Sequence, residues 1–350
     1  MLDIYAGKNA LATLKQQGFS QELFSTMIGA SGGPKWFSLY GLDKYLFGEL
    51  FQDRTSELNL IGSSAGAFRF AALSQKDPVA GITRLAENYS QTVYSDKADA
   101  KEITGKAYDL MSAVFGDTGI DEIINNPVYK AHFVACRCNG LTSYENKALQ
   151  MLGLVASYGL NRIDRGLLKH QYQRVIYHHP QSNLSISDPY QFDTSYLPLT
   201  QANTLDALLA SGSIPAVMQG IKDVPDSPKG MYRDGGIIDY HFDLDIVGNT
   251  GLILYPHFSA IPKAGWFDKS LNRFVDKKHY DNVVMLVPSE DFVASLPFQK
   301  IPDRKDFTDL PPTERIKYWQ TVLAATDQLA ESLDDFVQHQ NLDRVKPLAW

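Results

Sequence analysis

Cysteine is almost missing from this chain. Its 350 residues hold two, Cys136 and Cys138. Two apart in an apolar run, they fall on one face of an expected strand, where side chains are poorly placed to bridge. Two thiols alone also make an incomplete zinc site, so both are expected to be reduced, as in an intracellular chain. Long apolar runs are missing too: no charge-free stretch approaches the roughly 20 residues that cross a bilayer. Met1-Leu2-Asp3-Ile4-Tyr5-Ala6-Gly7-Lys8 lacks the basic segment and apolar core of a cleavable leader. An excess of basic residues is absent as well, with 33 lysines and arginines against 40 acidic residues and a net charge of −7. Nucleic acid needs a basic face, so it is excluded as the main partner. The overall charge gives no support for strong docking on anionic membranes, although a local patch can hide in the average. There is no repeat, low-complexity tract or clear linker, and no histidine spacing reads as a metal site, so no cofactor or metal is expected. With 44% hydrophobic and 21% charged residues, the expectation is a soluble cytoplasmic protein, one domain over 1–350. Export without a cleavable signal stays open, and oligomeric state is not visible.

What is present begins with a repeated local order. Residues 8–17 read as a helix and Leu23 to Ile28 as a strand. The strand runs into Gly29-Ala30-Ser31-Gly32-Gly33-Pro34-Lys35-Trp36, where Pro34 suits the first turn of a helix. Leu58 to Ile61 is a second short strand, followed by Gly62-Ser63-Ser64-Ala65-Gly66 and a helix from Ala67 to Leu73. Strand–helix–strand–helix order predicts an α/β fold with a mostly parallel sheet whose loops meet at the strands' carboxyl ends. Asp77 to Ile124 reads as mostly helical, with turns near Gly105 and Gly116 to Gly119. Ala131 to Cys138 and Arg174 to His178 read as strands. The apolar helix Ala148 to Leu160 is either core or the border of an acyl-chain pocket. Gln181 to Thr200 is polar and loop-rich, a lid or a surface loop. Thr204 to Ala210 is a helix, Leu252 to Tyr255 and Val283 to Val287 are buried strands, and Thr313 to His339 is one long helix.

The stretch around Ser64 fits G-x-S-x-G, a turn that exposes a serine hydroxyl between small residues. Such a serine needs a base and donors for a developing oxyanion. Gly32 and Gly33, between a strand end and a helix start, are the best donors. A phosphate loop fits worse, because the glycine spacing fails G-x-G-x-x-G and Trp36 follows Lys35. The base divides two readings. A Ser-His-acid hydrolase would draw on His257, His279 or His339, none in a distinctive loop. The other candidate is Asp234, followed by Gly235-Gly236.

Four segments in this order resemble the patatin-like phospholipases: Ser31-Gly32-Gly33-Pro34-Lys35-Trp36, Gly62-Ser63-Ser64-Ala65-Gly66, Ala210-Ser211-Gly212-Ser213-Ile214-Pro215 and Asp234-Gly235-Gly236. Together they span about residues 24–240. The resemblance implies a three-layer α/β/α fold and a Ser-Asp dyad without histidine. Ser64 becomes the nucleophile, Asp234 the base, and Gly32 and Gly33 the oxyanion donors. Gly62 and Gly66 belong to the elbow, Gly235 and Gly236 to the acid box. Ser31 and Trp36 stand where the family has glycines; Ser31 is expected to keep its backbone N–H available. Residues 260–350 match nothing in the family and form a strand-and-helix extension. The implied function is a lipid acyl hydrolase of phospholipase A or lysophospholipase type, with a lipid or ester substrate and transient contact with a membrane or micelle surface. The alternatives are a Ser-His-Asp esterase and a silent lipid- or protein-binding module of the same fold.

Overall fold

Unbroken apolar strands suit a sheet covered on both faces, and that is where this chain places them. The computed structural model describes residues 1–350. In chain order the strands are β1 (Leu2–Ala6), β2 (Phe24–Gly29), β3 (Leu58–Ser63), β4 (Tyr129–Cys138), β5 (Tyr172–His178), β6 (Ser185–Ser187), β7 (Thr194–Pro198), β8 (Ile221–Lys222), β9 (Met231–Asp234), β10 (Asp245–Val247), β11 (Leu252–Pro256), β12 (Val283–Pro288) and β13 (Val345–Pro347). Apart from the small β6–β10 pair, all join one sheet. Its centre, β12-β11-β2-β3-β4, is parallel throughout. Antiparallel strands flank it, β1 on β12 and β5 on β4. The fold is therefore α/β with a mostly parallel central sheet.

Because side chains alternate along a strand, consecutive residues feed opposite layers. Met27, Leu60, Leu254 and Val284 join a large core beneath helices including Ala65–Leu73, Pro78–Gln91 and Pro312–Ala325. Ile28, Ile61, Ile253 and Met285 face a second, smaller core. Helix Lys147–Ile163 and the irregular segments 239–244 and 257–282 lie on that opposite side. No helix is long and apolar enough to cross a membrane.

Four expectations need correction. Gly105 is not a turn: it lies inside helix Ala100–Phe115, where the Asp99 cap and burial of Met111, Val114 and Phe115 outweigh the glycine's cost of about 1 kcal/mol. The last helix is two, Pro312–Ala325 and Asp327–His339. Between them the Thr326 hydroxyl accepts the Gly41 N–H and donates to the Leu323 carbonyl, drawing the break against helix Tyr40–Tyr45. Gln181 to Thr200 carries β6 and β7, and β7 pairs with β5 at the sheet edge, so it is neither a lid nor a plain loop.

Helix Lys147–Ile163 is turned inside out. Its buried face is Gln150, Gly153, Leu154, Ser157 and Asn161, while Met151, Leu152, Val155 and Tyr158 face outward. It is thus neither ordinary core nor the wall of a chain-binding pocket. Polar partners dictate this orientation. Ser157 donates to the Gly153 carbonyl and shares a 2.8 Å hydrogen bond with the Tyr172 hydroxyl; the Asn161 amide donates to Asp268. Both cysteines are buried and free.

Candidate active site

Ser64 sits between β3 and helix Ala65–Leu73 with φ 52° and ψ −121°. A left-handed backbone at a residue with a Cβ costs about 1–3 kcal/mol and persists only where neighbours over-determine it. Two contacts do so here. The Ser64 N–H donates to Ser211 Oγ at 2.9 Å, and the Ser211 hydroxyl donates to the Val134 carbonyl on β4. Gly66 lets the helix close against β2: a Cβ there would lie 1.9 Å from the Gly29 carbonyl oxygen. The helix N-terminus follows Ser64 directly, which favours negative charge at the serine.

Asp234 arrives from the opposite direction. β3 runs parallel to β4 and ends with Ser63 opposite Val134, while antiparallel β9 ends with Asp234 opposite Ala135. The two strands share one flank of β4 and meet tip to tip. The Ser64 hydroxyl donates to Asp234 Oδ2 at 2.9 Å, and the other carboxylate oxygen accepts the Gly236 N–H at 2.7 Å. The Asp234 N–H donates to the Ser213 carbonyl at 3.0 Å, so the end of helix Thr204–Gly212 holds both residues through Ser211 and Ser213. Beyond Gly236 the chain is anchored by Asp239, which accepts two bonds from buried Arg174 at 2.6 and 2.9 Å. Burial pushes the Asp234 carboxyl above the usual range. The Gly236 N–H, the Ser64 hydroxyl and the more distant Arg304 and Lys269 oppose that shift.

The glycine loop lies beside this pair, since Gly29 at the end of β2 is in register with Gly62 of β3. Gly33 has φ +57°, and neither the Gly32 nor the Gly33 N–H has an acceptor within the protein. The expectation for Ser31 is overturned: its N–H donates to the Tyr240 carbonyl at 2.9 Å, which fixes the loop but removes that donor. Its hydroxyl donates to Ser63. Trp36 is buried in the large core, tilted against the Phe37 ring, and does not reach the cleft.

Ser64, Asp234, Gly32, Gly33 and Gly236 line a narrow cleft. Gly62, Gly66 and Gly235 act behind it as close-packed backbone. The remaining wall includes Tyr240, Trp266 and Arg304, which the sequence reading did not find because no motif marks them. The cleft opens into a broad groove with apolar walls that include Tyr94, Ile103, Val217, Phe258 and Phe307.

No histidine lines the cleft. His257 is buried in an aromatic cluster, its ring nitrogen bonded to Ser259, and burial lowers its pKa to about 3. His279 pairs with Asp243 at 2.7 Å, and His339 is an exposed residue of the last helix.

No protein-family model matches the chain, and no curated protein matches it. Among solved structures, VipD from Legionella pneumophila is similar at 13% identity and a TM-score of 0.36, over 89% of this chain and 67% of that one.

Proposed function

We propose that this chain is a carboxylic ester hydrolase of patatin-like type acting on lipid acyl esters, with Ser64 and Asp234 as its dyad. The observation that carries the reading is the 2.9 Å hydrogen bond from the Ser64 hydroxyl to a buried carboxylate, beside two unclaimed N–H groups. Asp234 takes the Ser64 proton as Oγ attacks the ester carbonyl. The Gly32 and Gly33 amides hold the oxyanion, and the C–O bond to the alcohol breaks as the alcohol leaves with the proton from Asp234. Water, deprotonated by Asp234, then attacks the acyl-Ser64 ester and releases the acid, returning the proton to Ser64. Burial keeps the base more basic than a solvated aspartate, as proton abstraction near neutral pH requires. The apolar groove beside the cleft suits an acyl chain.

The deciding experiment combines fluorophosphonate labelling with hydrolysis of a panel of neutral and phosphate-bearing lipid esters. Ser64→Ala is expected to abolish labelling. It and Asp234→Asn are each expected to lower kcat/KM by about 10³-fold or more. A folded wild-type protein that neither labels nor turns over any ester would sink this reading and leave a binding module.

A further inference from the structure

The acidic average of the chain conceals a basic concavity. Six lysines and arginines line the groove beside Ser64 against two aspartates, Asp96 and Asp303. Three of the six are already engaged, and a fourth, Lys305, is an exposed residue that lines the groove alone. Lys35 pairs with Asp303 at 3.4 Å, Lys263 donates to the Leu271 and Arg273 carbonyls, and Arg315 donates to the Ser90 and Thr92 carbonyls. Arg304 and Lys269 are different. The Arg304 guanidinium makes no hydrogen bond and no ion pair, although the residue lines both cleft and groove. Its Cγ lies 3.0 Å from where a Cβ on Gly33 would sit, so it stands against the unclaimed amides. Lys269 likewise has no acidic partner; its ammonium rests 3.8 Å from the centre of the Tyr240 ring, another cleft wall. Lys269 is an exposed residue overall; partial desolvation, then repulsion from Arg304 and Lys35, lowers its pKa to about 7, with Asp234 and Asp303 opposing. Two cations that repel each other, neither held in an ion pair, gain charge-assisted bonds when an anion enters.

We infer that Arg304 and Lys269 form an anion subsite that holds a phosphate carried by the alcohol half of the ester, placing its acyl carbonyl at Ser64. For turnover this rests on the proposed function; for binding it does not. The position fits: the phosphate sits at the junction of cleft and groove, a few bonds from the ester, while the acyl chain follows the apolar wall. Both residues lie after residue 260, outside the segments that carry the family resemblance.

The test separates binding from chemistry. Ser64→Ala protein, checked for folding by circular dichroism, is titrated calorimetrically with three probes: a long-chain alkyl ether of glycerol phosphate, the same ether without phosphate, and inorganic phosphate. The phosphate-bearing ether is expected to bind at least about tenfold more tightly than the uncharged one. Arg304→Gln and Lys269→Gln, each added to Ser64→Ala, are expected to erase most of that ratio, and Arg304→Lys to restore part of it. Equal binding of the two ethers, or a ratio unchanged in both variants, overturns the inference. Inorganic phosphate competing as well as the charged ether overturns the lipid-headgroup source and assigns the subsite to free phosphate. Selective binding by a wild-type protein that hydrolyses no ester defeats the proposed function alone.

Discussion

Val134 and Ala135 are neighbours on β4 that pair with different strands: Val134 with Ser63 of β3, Ala135 with Asp234 of β9. One strand ends where the other, running the opposite way, also ends. Residues 170 positions apart in sequence are thereby set one hydrogen bond from each other. The pairing is a matter of register, which a buried sheet specifies strongly because a one-residue slip would exchange its two faces. Ser211 and Ser213 then tie both backbones to a single helix end.

Asp234 makes a paired prediction for rate and stability. Its folded pKa is raised, so its contribution to stability is complete below the unfolded value near ~3.9 and is lost as pH rises through the folded value. At neutral pH the buried anion costs stability. Asp234→Asn is therefore expected to melt at a higher temperature than wild type at pH 7, with the gap closing towards pH 4. The wild-type kcat/KM should rise through a pKa above the ordinary carboxylate range. Thermal melts and pH–rate profiles check both; a melting difference that does not depend on pH contradicts the argument.

Two glycines separate fold from rate. Gly66→Ala drives a methyl into the Gly29 carbonyl, fixed backbone that cannot move aside. It is expected to destabilise by about 3 kcal/mol or more, read as a large drop in Tm. Gly33→Ala meets only the flexible Arg304 side chain, but its φ of +57° disfavours a Cβ by about 1–2 kcal/mol. It is expected to stay folded while ester turnover falls about 10²-fold, because the loop can no longer aim its amides.

The His279–Asp243 pair predicts a pH-dependent stability with no catalytic counterpart. The hydrogen bond to Asp243 raises the His279 pKa, with burial opposing. Burial works against the Asp243 charge, but bonds from His279, Tyr190 and the Asp276 N–H outweigh it and hold its carboxyl low. The histidine's contribution is full below about 6.5 and fades as pH rises through its raised value; the aspartate's is present above about 3.9 and is lost as pH falls. The pair stabilises most between those limits. His279→Gln should show its largest Tm deficit near pH 5–6, shrinking towards pH 8, with ester turnover kept at neutral pH. Loss of turnover in this variant would revive a histidine-dependent mechanism.

Much of the framework was legible because it is local. The β2 and β3 runs, the glycine loop and the turn at Ser64 each announce themselves within ten residues. The neighbourhood of Ser64 and Asp234 followed from motif order. The head-to-head strand ends that create it did not, since β9 has four residues and no period to read. Ser31 misled because a backbone N–H carries no mark in sequence of the carbonyl that will claim it. Arg304, Lys269 and Trp266 were invisible for a related reason: they reach the cleft or the groove beside it from irregular segments, where spacing says nothing about direction. Thr326 escaped notice because its hydroxyl breaks a pattern that apolar spacing alone carries through.

Helix Lys147–Ile163 separates what a pattern of apolar residues means from where it points. Its attachment to the body runs through the Gln150 and Asn161 amides, the Ser157 hydroxyl, a close contact at Gly153 and one buried apolar residue, Leu154, so Met151, Leu152, Val155 and Tyr158 contribute little to holding it there. Substitutions at the inward positions are therefore expected to cost more stability than substitutions at the outward apolar ones. Whatever fixes their identity lies in the surroundings of the molecule, so a stability scan would find this helix sensitive on its hydrophilic side and silent on its greasy one.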